Sequence, residues 1–120
     1  MTMHAKDAAR LLAGVPYRNR LSVGRMMMPK GIHRSRVASL QELYWFMMPS
    51  AKSLVALKPE RVAEWIRQDI GDAWLADEVD QVNAMDISYV EKCHLLYELL
   101  EQRIATLEKI AGTGEVTDHA

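Results

Sequence analysis

Cysteine is nearly missing from this sequence. Cys93 is the one thiol in 120 residues, so no disulfide can close within the chain and no CxxC or Cys/His zinc framework can be assembled. A lone thiol points to a reducing compartment, and a cytoplasmic location is expected. Long apolar runs are missing too. The longest, Leu43 to Met48, falls far short of the roughly 20 residues that a membrane span requires, so no membrane association is expected. The short signatures of catalysis are also lacking: there is no GxSxG, no HExxH, no phosphate loop and no dinucleotide fingerprint, and Gly14, Gly24 and Gly31 are too widely spaced to cradle a phosphate. No cofactor is expected. Neither an internal repeat nor a low-complexity segment interrupts the chain.

Acidic residues are missing from one long stretch, and that absence is the most informative. Between Gly14 and Arg36 there is no Asp or Glu, while Arg18, Arg20, Arg25, Lys30, Arg34, Arg36 and His33 all fall there. The net charge of −1 hides a division. Residues 1–58 carry ten basic and two acidic side chains, a balance of +8, and residues 59–120 carry five basic and fourteen acidic ones, a balance of −9. Such asymmetry implies an electrostatically selected partner for one half, or attraction between the halves within or between molecules.

What is present suits an ordinary folded domain. The chain is 49% hydrophobic and 26% charged, and its length corresponds to one domain with a core of its own. The periodicity predicts an all-α fold of four to five helices, with an irregular basic segment over 14–36 between the first two and a long amphipathic helix at the C-terminal end. Residues 1–112 are read as a single helical domain and 113–120 as a flexible polar tail. The first helix covers Ala5 to Ala13, with Gly14 placed to end it. The basic segment, broken by Gly14, Pro16, Gly24, Pro29 and Gly31, reads as an arm. Leu21 and Val23 alternate with polar residues there, too little to build a sheet.

Ser39 and Glu42 form a capping box opening a second helix that Pro49 closes. Leu40, Leu43, Tyr44 and Met47 make its stripe, and Trp45, Phe46 and Met48 clothe the other faces, which implies burial on several sides or under a second subunit. Ser50 to Lys58 reads as a connection with at most a helical turn. Pro59 then takes the first position of a third helix whose buried face is Val62, Trp65, Ile66 and Ile70. Gly71 breaks it, and Asp72 caps a continuation striped by Leu75, Val79 and Val82. A second capping box, Ser88 and Glu91, opens the last helix, which Gly112 ends. Between them Val90, Cys93, Tyr97, Leu100, Ile104, Leu107 and Ala111 alternate by three and four, a heptad seam on a helix of about 24 residues, roughly 36 Å long.

Three constellations bear on chemistry. Glu91 and His94 have the ExxH spacing of carboxylate-bridged metal sites, but one chain supplies no second copy, and both flank the seam, so a solvent-facing pair is the simpler reading and only a dimer would complete a metal centre. Cys93 and His94, adjacent on a helix, point about 100° apart and cannot form a nucleophilic dyad. Met26, Met27 and Met28 lack the spacing of a soft-metal site and are read as packing or as a docking patch.

The expected function is therefore that of a non-enzymatic interaction protein: an adaptor, assembly factor or small subunit of a homodimer or hetero-complex. Arg18, Arg20, Arg25, Lys30, Arg34 and Arg36 would contact the partner. Tyr44, Trp45, Phe46, Met47 and Met48, with Tyr97, Leu100, Ile104 and Leu107, would form the apolar interface. The alternative is a small DNA- or RNA-binding regulator that uses the same basic arm for phosphates.

Overall fold

The computed structural model describes residues 3–27, 29–50 and 54–119, with side chains described as far as Gly112. Among the described residues the fold is mixed, with five α-helices and a three-stranded antiparallel sheet, and not the all-α bundle expected. In chain order, α1 is Ala5–Leu12, followed by a 3₁₀ turn at Tyr17–Asn19. The strands β1, Leu21–Met27, and β2, Gly31–Val37, precede α2, Leu40–Phe46. After β3, Leu54–Ala56, come α3, Pro59–Trp65, with a π-helical turn at Ile66–Ile70, then α4, Ala73–Asn83, and α5, Tyr89–His119.

The basic arm is the hairpin. Its strands pair without interruption from Leu21↔Val37 to Met27↔Gly31, and β3 adds to the other side of β1 from Gly24↔Ala56 to Met26↔Leu54. Leu21, Val23 and Val37 are buried on the core side, which anchors the register, since a slip by one residue would turn them to water. The residues that read as helix breakers serve the sheet. Gly31 reverses the chain at φ 88°. At Gly24, on the central strand, a Cβ would come within 2.9 Å of Ile32 Cγ2 and 3.3 Å of the Ala56 carbonyl, so a side chain there would push Ile32 and β3 aside. The third strand lies in the segment taken for a connection.

The helices start where expected. Ser39 Oγ accepts from the Glu42 amide at 3.2 Å, while Glu42 reaches the amide of Ala38, one residue before the cap. The α2 helix is shorter than expected, ending at Phe46. Pro59 occupies the first turn of α3, and Val62, Trp65, Ile66 and Ile70 are all buried. Gly71, at φ 90°, ends the π turn, and Asp72 accepts from the Leu75 amide at 3.1 Å to cap α4. The Ser88 hydroxyl accepts from the Glu91 amide at 3.1 Å as α5 begins. Gly112 lies inside α5 and does not end it. The expected polar tail, residues 113–120, lies outside the residues whose side chains are described.

The core is built where α5 packs on α1, α2 and α4. Leu96, Leu100, Ile104 and Leu107 of α5 are buried together with Leu11, Leu40, Leu43, Leu75 and Val79. Val90, at the start of the predicted seam, is 63% exposed, while Leu96, outside it, is buried: the buried stripe is set by α1, α2 and α4 and not by a coiled-coil partner. Among the described residues one ion pair is enclosed. Arg103 grips Asp72 through Nε to Oδ2 at 2.7 Å and Nη2 to Oδ1 at 3.0 Å, and its guanidinium lies 4.7 Å from the Trp74 ring centroid. This joins the start of α4 to the middle of α5. Among the described residues no helix is long and apolar enough to cross a membrane.

Candidate cationic interface

Directly opposed residues of paired strands project to the same face. Because Leu21, Val23 and Val37 fill the core face, the alternating set of Ser22, Gly24 and Met26 on β1 and Ile32, Arg34 and Arg36 on β2 turns outward. Ala56 and Leu54 of β3 complete that face. The result is a surface with an aliphatic centre and a basic border.

The 3₁₀ turn carries Arg18 and Arg20, and Asn19 between them is clamped to α3 and its π turn. The Asn19 carbonyl accepts from the Trp65 indole at 2.7 Å, and its side-chain amide donates to Asp69 at 2.9 Å. This docks the two arginines beside Arg61 of α3. A groove of about 290 Å³ is lined there by Arg18, Arg20, Arg36 and Arg61, with Glu64 and Asp69 at its α3 side. It shares Leu21, Ser22 and Arg61 with a second groove of about 620 Å³, lined by Met26, Ile32, Leu54, Leu57 and Tyr89 and bordered by Arg34, Lys58 and Arg61.

These cations are short of anions. Arg61 pairs with Glu64 at 3.7 Å, but among the described residues no carboxylate lies within ion-pair distance of Arg18, Arg20, Arg34, Arg36 or Lys58. Arg20 and Arg36 instead lie 5.5 Å and 5.1 Å from the centroid of Tyr17, a ring that is 65% exposed. The acidic half is better occupied. Asp77 and Asp80 hold Arg67 at 2.5 Å and 3.0 Å, which raises its pKa, Asp80 more strongly.

Two of the expected contact residues lie apart. Arg25 points to the core side, over the Phe46 ring, and donates to the Phe46 and Met48 carbonyls, tying β1 to the end of α2. Lys30 stands exposed in the hairpin turn, away from both grooves. The expected apolar interface is divided. Met47, Leu100, Ile104 and Leu107 are buried within the chain's own core, and Phe46 is half-buried beneath Arg25. Tyr44 and Tyr97 stack on each other, centroids 4.8 Å apart. The Tyr97 and Tyr44 hydroxyls are hydrogen-bonded to each other at 3.2 Å, and Tyr44 also contacts the Glu101 carboxylate at 2.8 Å. Those two hydrogen bonds, Tyr97 first, hold the Tyr44 phenol well above its ordinary pKa. Trp45 and Met48 remain exposed.

His94 pairs with Glu98 at 2.9 Å and not with Glu91, and among the described residues no group of three or more His, Cys, Asp or Glu is placed to hold a metal. Cys93 is half-buried, and burial pushes its thiol pKa up. Met26 lines the larger groove, Met27 is exposed, and Met28 lies outside the described residues. Lys58, Arg61, Ile32 and Leu54 were not singled out as site residues in the sequence, because only strand pairing and the docking of α3 bring them to the arginines. The chain matches no family model, no curated protein and no solved structure.

Proposed function

We propose that the protein is a non-enzymatic interaction module that binds an acidic protein partner on the outer face of its sheet. One observation carries this reading: Arg18, Arg20 and Arg36 line one groove and Arg34 and Lys58 border the adjoining aliphatic one, and none of the five has a described carboxylate within ion-pair distance, although Glu64 and Asp69 line the smaller groove. Folding brings these like charges together at an electrostatic cost, and a bound anionic surface relieves it. The aliphatic centre favours a protein over a polyanion, since Met26, Ile32 and Leu54 offer apolar anchoring. A hetero-complex in the cytoplasm suits both the charge of the groove and the single free thiol. Burial of Met47, Leu100, Ile104 and Leu107 weighs against the homodimer interface read from the sequence.

The test is titration with a labelled glutamate-rich peptide. Affinity should fall steeply as salt rises from about 50 to about 500 mM, and the double substitution Arg34→Glu, Arg36→Glu should weaken binding by about tenfold or more at the lower salt. Affinity indifferent to both changes removes the proposal.

A second reading, binding of single-stranded DNA or RNA, rests on Tyr17. An exposed aromatic ring beside Arg20 and Arg36 is a stacking platform for a base. Under this reading Tyr17→Ala weakens an oligonucleotide by roughly tenfold or more and leaves the acidic peptide's affinity nearly unchanged.

A further inference from the structure

The sheet has two outer edges, and they are finished differently. The edge at β3 is closed by one side chain: the Tyr89 hydroxyl accepts from the Leu57 amide at 3.0 Å and donates to the Val55 carbonyl at 2.7 Å. Among the described residues the edge at β2 is open. Its register partners all lie on β1, and no described residue bonds to the outward backbone of residues 32–36. A seven-residue strand at an edge directs alternate N–H and C=O groups outward, ready to pair with another strand.

Charge selects which strand that is. Ile32, His33, Arg34 and Arg36 are exposed along this edge, and β2 contains no acid. A second copy of β2 would bring arginines against arginines, and like charges across a strand pair are destabilising. The edge therefore rejects its own kind, and a strand bearing carboxylates is drawn to it.

We infer that the outer edge of β2 takes up an extended acidic segment of a partner protein as a fourth strand. This rests on the interaction reading above and supplies its mode of binding. The register fixes the pattern recognised. Arg36, Arg34 and Ile32 stand on the outer face at every second position, so an antiparallel segment presents, from its N-terminal end, a carboxylate, any residue, a second carboxylate, any residue and an apolar side chain. Main-chain hydrogen bonds give the affinity, and the alternate side chains give the selectivity.

The experiment compares the capped peptide Glu-Thr-Glu-Thr-Val with an analogue N-methylated at the residues whose amides face the edge, which keeps every side chain and charge. The parent should bind at low salt and protect the outward-facing amides among residues 32–36 from hydrogen exchange. The analogue should bind about tenfold or more weakly, having lost its main-chain donors. In the Arg34→Glu, Arg36→Glu variant, whose altered side chains are exposed, the peptide Lys-Thr-Lys-Thr-Val should restore binding. Equal affinity for parent and analogue overturns strand addition while leaving the cationic-face reading intact. Failure of the parent to bind, where a longer glutamate-rich peptide still does, has the same meaning. Failure of both peptides removes both readings. Capture of a single-stranded oligonucleotide alone, with the β2 amides still exchanging freely, also overturns the inference.

Discussion

The Trp65 indole donates a 2.7 Å hydrogen bond to the backbone carbonyl of Asn19, 46 residues earlier in the chain. That bond joins the turn carrying Arg18 and Arg20 to the helix carrying Arg61, and so one half of the cationic face to the other. Trp65→Phe keeps an aromatic ring in the core but leaves the Asn19 carbonyl without its donor. We expect a loss of roughly 2 kcal/mol of stability in urea denaturation, together with weaker binding of an acidic peptide. Unchanged affinity would show that the turn needs no clamp.

Asp72 serves two structures at once, capping α4 and receiving both nitrogens of Arg103. Its side chain is 2% exposed and that of Arg103 11%. Asp72→Ala leaves a cation enclosed without its anion, for which a cost of about 3–5 kcal/mol is expected. Replacing Arg103 by Met in the same chain should recover part of that loss. A double variant no more stable than the single one would mean that capping, and not the ion pair, carries the effect.

Leu100 and Trp45 separate core from surface. Leu100 is 1% exposed and Trp45 59%. Leu100→Ala should destabilise the monomer by about 3 kcal/mol, independently of protein concentration, whereas Trp45→Ser should stay within about 0.5 kcal/mol. A concentration-dependent melting temperature in the wild type that Leu100→Ala abolishes would restore the α5 stripe as a subunit interface.

Tyr89 gives the fold a sensitivity to alkali. Burial, its largest cause, raises the phenol from 10.0 to about 12, partly offset by the Leu57 amide that donates to its oxygen. The folded state therefore holds this proton more tightly than the unfolded chain does. The stability it contributes is complete below about pH 10 and is lost as pH climbs through about 12. Absorbance of phenolate near 295 nm should show a tyrosine ionising late, and Tyr89→Phe should remove that step and expose the edge of β3 to exchange. A variant whose titration matches the wild type would contradict the closed edge.

Most of the helical frame could be read from the sequence, because its signals are local. Ser39 with Glu42, Pro59, Asp72 and Ser88 mark helix starts within four residues of themselves, and Val62, Trp65, Ile66 and Ile70 repeat at helical spacing. The sheet could not be read in this way. Leu21 and Val23 alternate correctly, but β1 is stabilised by β3, thirty residues further on, in a segment of three strand residues. The absence of acids between Gly14 and Arg36 identified the candidate site by composition, but not its membership. Arg25 left the set by pointing inward, and Lys58 and Arg61 joined it from outside.

Sequence alone determined where charge and apolar surface are placed along the chain, because net charge, helix periodicity and capping depend on a residue and its near neighbours. Only the tertiary structure decided that the basic stretch is a hairpin with one face buried, that the α5 stripe faces its own chain, and that β2 ends the sheet with an open edge. Those outcomes depend on which distant segments pair, and strand pairing is a contact between residues that no local pattern connects.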